Sequence, residues 1–244
     1  TLGKCNEFYK TYFKPNIAYL AIVGDITPEQ AKPIVEKYFG SWQRGDVPKA
    51  SYPSPKAPAK TTVAVVDRPN AVQSTISVSY PVDLKPGSPD EIKVKLTNSI
   101  LGGGTFRLFN NLREKHGWTY GAYSSIQSDK LVGQFSASAE VRNPVTDSAF
   151  TEILAEMNRL RTETVPEDEL NMVRNYMMGN FGRSLESPAT IANFAINTAR
   201  YNLPKDYYSN YLPKLAAITP ADVQMTAQKY IRPDNAYLLM VGKA

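Results

Sequence analysis

Residues 219–242 read TPADVQMTAQKYIRPDNAYLLMVG, and residues 1–24 read TLGKCNEFYKTYFKPNIAYLAIVG. The two stretches align without a gap. Thr1/Thr219, Tyr12/Tyr230, Pro15/Pro233, Ala18/Ala236, Tyr19/Tyr237, Leu20/Leu238, Val23/Val241 and Gly24/Gly242 are identical. Each copy predicts a helix, a proline turn and a short apolar strand. Thr219 followed by Pro220 and Asp222 is a helix start, with threonine as cap and an acid in the first turn. A repeated unit signals duplicated architecture. Residues 219–242 therefore close one domain, and residues 1–24 are expected to close another that begins outside this sequence.

Outward from the first copy, TPEQAKPIVEKYFGSW (27–42) predicts an amphipathic helix with Ala31, Ile34, Val35, Tyr38 and Phe39 on its apolar face. GDVPKASYPSPKAPAK (45–60) is rich in proline and small residues and has no apolar period, which marks an extended linker. The expected organisation is a tail of a preceding domain at 1–44, a linker at 45–60 and a second domain at 61–244.

In that domain, 61–67 and 73–82 read as strands rich in Val, Ile and Thr. Residues 89–101 read as a helix ending at Gly102-Gly103-Gly104. Thr105 is expected to cap a further helix over 106–115, which Gly117 ends. GAYSSIQS and LVGQFSASAEV alternate as a strand pair joined at 128–130. Helices are expected at 144–161, 166–184, 188–202, 205–216 and 219–230, before the closing strand. Strands early and late with helices between them predict an α+β fold, a sheet covered on one face.

Composition limits the function. The 244 residues carry a formal charge of +5, but Lys and Arg are scattered without interleaved aromatics, which speaks against a nucleic-acid partner. No apolar run is long enough for a membrane span, and residues 1–13 do not read as a signal peptide. One cysteine allows no internal disulfide, and Cys5, spaced with Phe8, Tyr9 and Tyr12, is expected to be a core residue. With one histidine, and neither H-x-x-E-H nor H-E-x-x-H, the chain cannot build a catalytic zinc centre alone.

LGGGT lacks the lysine of a phosphate loop and reads as a flexible joint between helices. Glu91, Glu114 and Glu140 sit singly on different elements and read as solvated surface. His116, next to Gly117, is placed to cover helix-end carbonyls. Arg113 and Tyr120 differ from these. Arg113 is expected in the last turn of its helix and Tyr120 at the start of the next strand, so that a guanidinium and a phenol meet at the lip of the sheet. Both donate hydrogen bonds and neither is a base near neutrality, a combination suited to holding carbonyl oxygens.

LGGGTFRLFNNLREKHGWTYGAYSS resembles the Arg/Tyr segment of the M16 (insulinase/pitrilysin, processing-peptidase-like) family, with Arg113 and Tyr120 seven positions apart. The KPNIAYLAIVGD stretch, SLESPATIANF and KYIRPDNAYLLMVG extend the resemblance over essentially the whole chain. It implies a largely antiparallel sheet covered on one face by helices, preceded by the tail of a similar domain, in a clamshell zinc peptidase. The zinc ligands belong to a facing domain that this chain lacks. Arg113 and Tyr120 would hold the substrate backbone and help to stabilise the transition state. The implied role is the substrate-clamping, non-zinc portion of a zinc endopeptidase, inactive alone. No cofactor is expected in this chain, with zinc held by a domain in cis or in trans. The substrate would be a peptide or unfolded protein, and the compartment the bacterial periplasm or cell envelope. The competing reading is a non-catalytic M16-like scaffold or assembly subunit.

Overall fold

Period-2 alternation builds the sheet. In the computed structural model, which describes residues 1–49 and 51–243, strand β2 (Gln73–Val82) turns Ile76, Val78, Tyr80 and Val82 to one face. Strand β4 (Gly133–Arg142) turns Phe135, Ala137, Ala139 and Val141 to the same face. Strand β1 is Thr62–Asp67, β3 is Thr119–Gln127 and β5 is Tyr237–Gly242, and the order across the sheet is β1-β5-β2-β4-β3. All neighbouring strands are antiparallel except β1 and β5, which are parallel. Ala50, in the expected linker, and Ala244, in the expected second domain, lie outside the described residues.

The chain forms two compact units, Thr1–Pro53 with Asn180–Tyr208, and Ser54–Gly179 with Ser209–Ala244. The second holds the sheet. Helices α3 (Glu91–Gly102), α5 (Thr146–Thr162) and α9 (Pro220–Tyr230) cover one face with Leu96, Ile100, Ile153, Met157, Leu160, Val223 and Ala227. Tyr80 ties sheet to helix. Its ring stacks on Phe135 at 4.7 Å, and its hydroxyl donates to the Tyr230 carbonyl (3.1 Å) and accepts from Arg232 N–H (3.0 Å). The opposite face is open, carrying Thr75, Gln134, Ser138 and Glu140 together with exposed Tyr123, Tyr237 and Leu239.

The first unit contains α1 (Leu2–Tyr12) and α2 (Pro28–Phe39). Two bonds fasten the chain between them, Trp42 Nε1–H to the Phe13 carbonyl and Gly45 N–H to Asn16 Oδ1, each 3.2 Å. Its remainder is the end of α6 (Glu167–Ser184) and α7 (Pro188–Tyr201), where Phe194 stacks on Phe181 and Tyr208. None of residues 1–49 is buried. Cys5 is therefore exposed, contrary to the core position expected from its spacing: helical spacing selects a face, and nothing among the described residues buries that face. Residues 18–23 form no strand, because a strand needs a ladder partner and they have none among the described residues.

Further expectations change for local reasons. The helix expected over 205–216 begins only at Tyr211, as α8 (Tyr211–Ala216). An earlier start would put Pro213 in a helix interior, where its ring strikes the carbonyl four residues back. Thr105 caps nothing. Phe106 occupies the cap position of the short helix α4 (Arg107–Phe109), which makes no side-chain cap bond. Glu91 is buried and fully engaged, accepting from Gly87 N–H (2.6 Å), Lys95 Nζ (2.8 Å) and Ser128 Oγ (2.8 Å).

Candidate functional site

Three glycines lead into the site, and the first holds α3 close to β3. A Cβ on Gly102 would lie 2.7 Å from Ser124 N and 2.8 Å from Leu108 Cδ1. LGGGT is thus a point of close packing at Gly102 instead of a loose joint. Beyond α4 the helix widens to a π-helix over Asn110–Lys115, closed by an i−5 bond from His116 N–H to the Asn111 carbonyl (3.2 Å). Helices of this type occur mostly as single turns and often at functional sites. Gly117, with φ 63°, then reverses the chain into β3.

The turn is closed by backbone alone. Gly117 N–H reaches the Arg113 carbonyl (2.9 Å), and Trp118 N–H reaches the Leu112 carbonyl (3.0 Å). His116 is therefore not needed to cover carbonyls, and its ring stacks on Trp118 at 4.1 Å.

The turn brings Arg113 and Tyr120 together. Arg113 Nη1–H donates to the Tyr120 backbone carbonyl at 2.9 Å. The guanidinium also lies over the Phe109 ring at 4.9 Å, and its Nε is 3.5 Å from Glu114 Oε1. A guanidinium has five N–H donors, so one bond to a main-chain carbonyl leaves others free. Tyr120 is 86 % exposed, far more than strand alternation requires.

A bulge explains that exposure. Thr119 pairs with Val141 and Ala122 pairs with Ala139, so Tyr120 and Gly121 together face Glu140. The extra residue lifts Tyr120 off the ladder. Thr119 Oγ1 stabilises the bulge, donating to the Gly121 carbonyl (2.8 Å) and accepting from Gly121 N–H (3.1 Å). The Tyr123 ring lies on Gly121: a Cβ there would meet Tyr123 Cε2 at 2.6 Å and displace the ring. The Tyr123 ring in turn neighbours Phe109 at 6.3 Å. Phe109 is thus shared between Arg113 and Tyr123.

These residues border a hollow of about 410 Å³ on the open face, lined by Thr75, Thr119, Tyr120, Gly121, Tyr123, Ser138, Ala139 and Glu140. Its floor is hydroxyl-rich and its single charged lining group is Glu140. The sequence reading names Arg113 and Tyr120 and passes over Tyr123 and Gly121, which the structure sets beside Tyr120. A glycine inside an alternating strand is the available sign of a bulge or of close approach.

A catalytic metal does not fit here. Among the described residues no group of three His, Cys, Asp or Glu side chains is placed to hold an ion, and the only histidine is stacked on tryptophan. No described helix is long and apolar enough to cross a membrane.

Known proteins resemble the chain along its whole length. "Probable inactive metalloprotease YmfF" of Bacillus subtilis is 21 % identical over 243 residues, covering 98 % of this chain and 55 % of the relative. The crystal structure of a peptidase M16 inactive domain from Pseudomonas fluorescens superposes with a TM-score of 0.80 at 23 % identity, over 91 % of this chain and 52 % of that one. That of a protease from Helicobacter pylori gives 0.84 at 19 % identity, over 99 % and 59 %. The chain spans about half the length of the curated relatives it matches. The family profile described as "Peptidase M16 inactive domain" matches residues 1–177, and the chain belongs to that family.

Proposed function

We propose that this chain is the substrate-clamping, non-zinc portion of an M16-type zinc endopeptidase, inactive alone, with Arg113 and Tyr120 as the clamp. One observation carries the reading. The π-helix and the Gly117 turn bring the Arg113 guanidinium, with spare donors, to the main-chain carbonyl of Tyr120 on the edge strand of an open sheet, and the bulge leaves the Tyr120 side chain highly exposed. Both groups donate hydrogen bonds to carbonyl oxygens, and both would strengthen where an oxyanion develops. Zinc would come from a second M16 domain, in cis or in trans. The substrate would be a peptide or unfolded protein. The compartment we propose is the bacterial periplasm or cell envelope, where the periplasmic protease PqqL of Escherichia coli, of the same fold at TM-score 0.70, is found.

The same proposal covers domain organisation: 1–44 as the tail of a preceding M16-type domain, 45–60 as linker and 61–244 as the inactive domain. The second repeat copy supports this. There α9 and a proline turn lead into β5, which lies between two strands, whereas in the first copy α1 and its turn lead into Tyr19, Leu20 and Val23, which stay exposed. The first copy has the form of an element whose sheet lies elsewhere.

The test is Tyr120→Phe and Arg113→Ala in the chain combined with its zinc-bearing domain. Loss of an oxyanion donor lowers kcat/KM by about 10²–10³, whereas loss of a uniform backbone contact raises KM and spares kcat. Tyr120→Phe keeps the ring, so the unfolding free energy is expected to stay within about 0.5 kcal/mol of wild type. Normal activity in both variants would favour the scaffold reading. That reading has one point of support in the bond that already ties Arg113 to the main chain.

A further inference from the structure

We propose that the hollow beside Tyr120 is a specificity pocket for a lysine or arginine side chain of the bound chain, with Glu140 as its counter-charge. The inference rests on the clamp reading for the course of the substrate backbone. Glu140 is the outward residue of β4 directly opposite the bulge, between Thr75 of β2 and the Tyr120–Gly121 step of β3. It is exposed and makes no ion pair among the described residues, so its carboxylate is available.

The rest of the lining suits a long cationic side chain. Such a chain carries an aliphatic stem and a charged head. The Tyr123 ring, held flat over Gly121, and the ring of Tyr120 offer apolar surface to the stem and π-faces to the head. Thr75, Thr119 and Ser138 supply hydroxyl oxygens that accept from an ammonium or guanidinium. An acidic side chain would face Glu140 with no cation in the lining, since Arg113 and Arg142 lie outside it. Arg142 is the next outward residue on β4, and it limits the acidic field to the hollow itself. The chain as a whole is basic, at +5, so its long-range field does not attract cations. Any preference for lysine must arise at contact range. An extended peptide presents side chains to alternate sides every second residue, so a backbone held by Arg113 and Tyr120 directs one side chain towards the sheet.

The probe is a set of blocked hexapeptides, Ala-Ala-Xaa-Ala-Ala-Ala, with Xaa lysine, norleucine or glutamate, titrated into the 244-residue chain and followed by amide chemical shifts. The lysine peptide is expected to bind about three- to tenfold more tightly than the norleucine peptide, the range for a partly exposed charge-assisted contact. The advantage is expected to shrink at high salt. Glu140→Gln is expected to bring the lysine-to-norleucine ratio near one, and Glu140→Lys to invert it in favour of glutamate. Equal affinities in wild type, or a lysine preference that survives Glu140→Gln, would overturn the pocket. Arg113→Ala separates the two readings. If it weakens all peptides alike while none is preferred, the clamp stands and the pocket falls. If it changes nothing while Glu140→Gln abolishes the lysine preference, the pocket stands and the clamp falls. Absence of binding by every peptide overturns both.

Discussion

Gly102 has no space for a methyl group, since its surroundings include a backbone nitrogen that cannot swing aside. Gly102→Ala is expected to destabilise the sheet-bearing unit by about 1–3 kcal/mol, the usual cost of overpacking, read as a fall in thermal midpoint. An unchanged midpoint would show that α3 can back away from β3. At this scale, legibility depended on how many segments a residue's role involves. That Arg113 lies next to Tyr120 was readable because one turn joins them. Glu91 was not, because the groups that bury it come from three places: Gly87 before α3, Lys95 within α3 and Ser128 after β3. The pair with Lys95 is local, but alone it reads as a solvated helix-surface pair; the contact from Ser128, 37 residues away, leaves no local trace.

Among elements, α9 and α3 are joined by Lys93 and Asp222, whose Nζ and Oδ1 are 2.6 Å apart. Asp222 also accepts the Thr219 N–H at the start of α9, at 3.0 Å. The Lys93 contact first, and the Thr219 N–H second, lower the Asp222 pKa from 3.8 to about 2. A carboxylate depressed in the folded state contributes stability that is complete above about pH 4 and is lost as pH falls through about 2. Lys93 is partly in water, so the loss is expected to be below about 1 kcal/mol. Chemical denaturation of wild type and Asp222→Asn between pH 2 and 5 measures it; parallel pH profiles for the two would remove Asp222 from the acid response. Element types were legible wherever the period was long, as in β2, β4 and α5. They failed where a partner decides the outcome. Residues 18–23 have the same pattern as β5 and no ladder.

For the whole molecule, the α+β architecture with one covered face was legible from the order of strand and helix patterns. Strand order was not, because pairing between the first and last strands leaves no local trace. Among the described residues β1 pairs in the sheet with β5 alone, in parallel register from Thr62 with Tyr237 to Asp67 with Gly242. Val63 and Val65 remain 63 % and 52 % exposed, so side-chain burial does little to hold β1. Removing residues 237–244 is expected to free the amides of 63–67 to exchange at unfolded rates, with those of β3 and β4 still protected. Protection that survives in β1 would reveal an anchor other than β5. The same connection has a consequence in time. Parallel pairing across the full length of a chain is slow to form, because loop closure comes before any contact that rewards it. During synthesis β1 leaves the ribosome about 170 residues ahead of β5, and for that interval TVAVVD is an apolar strand with both edges open, a template for unwanted association. The first strand of the sheet to be made is the last to be seated.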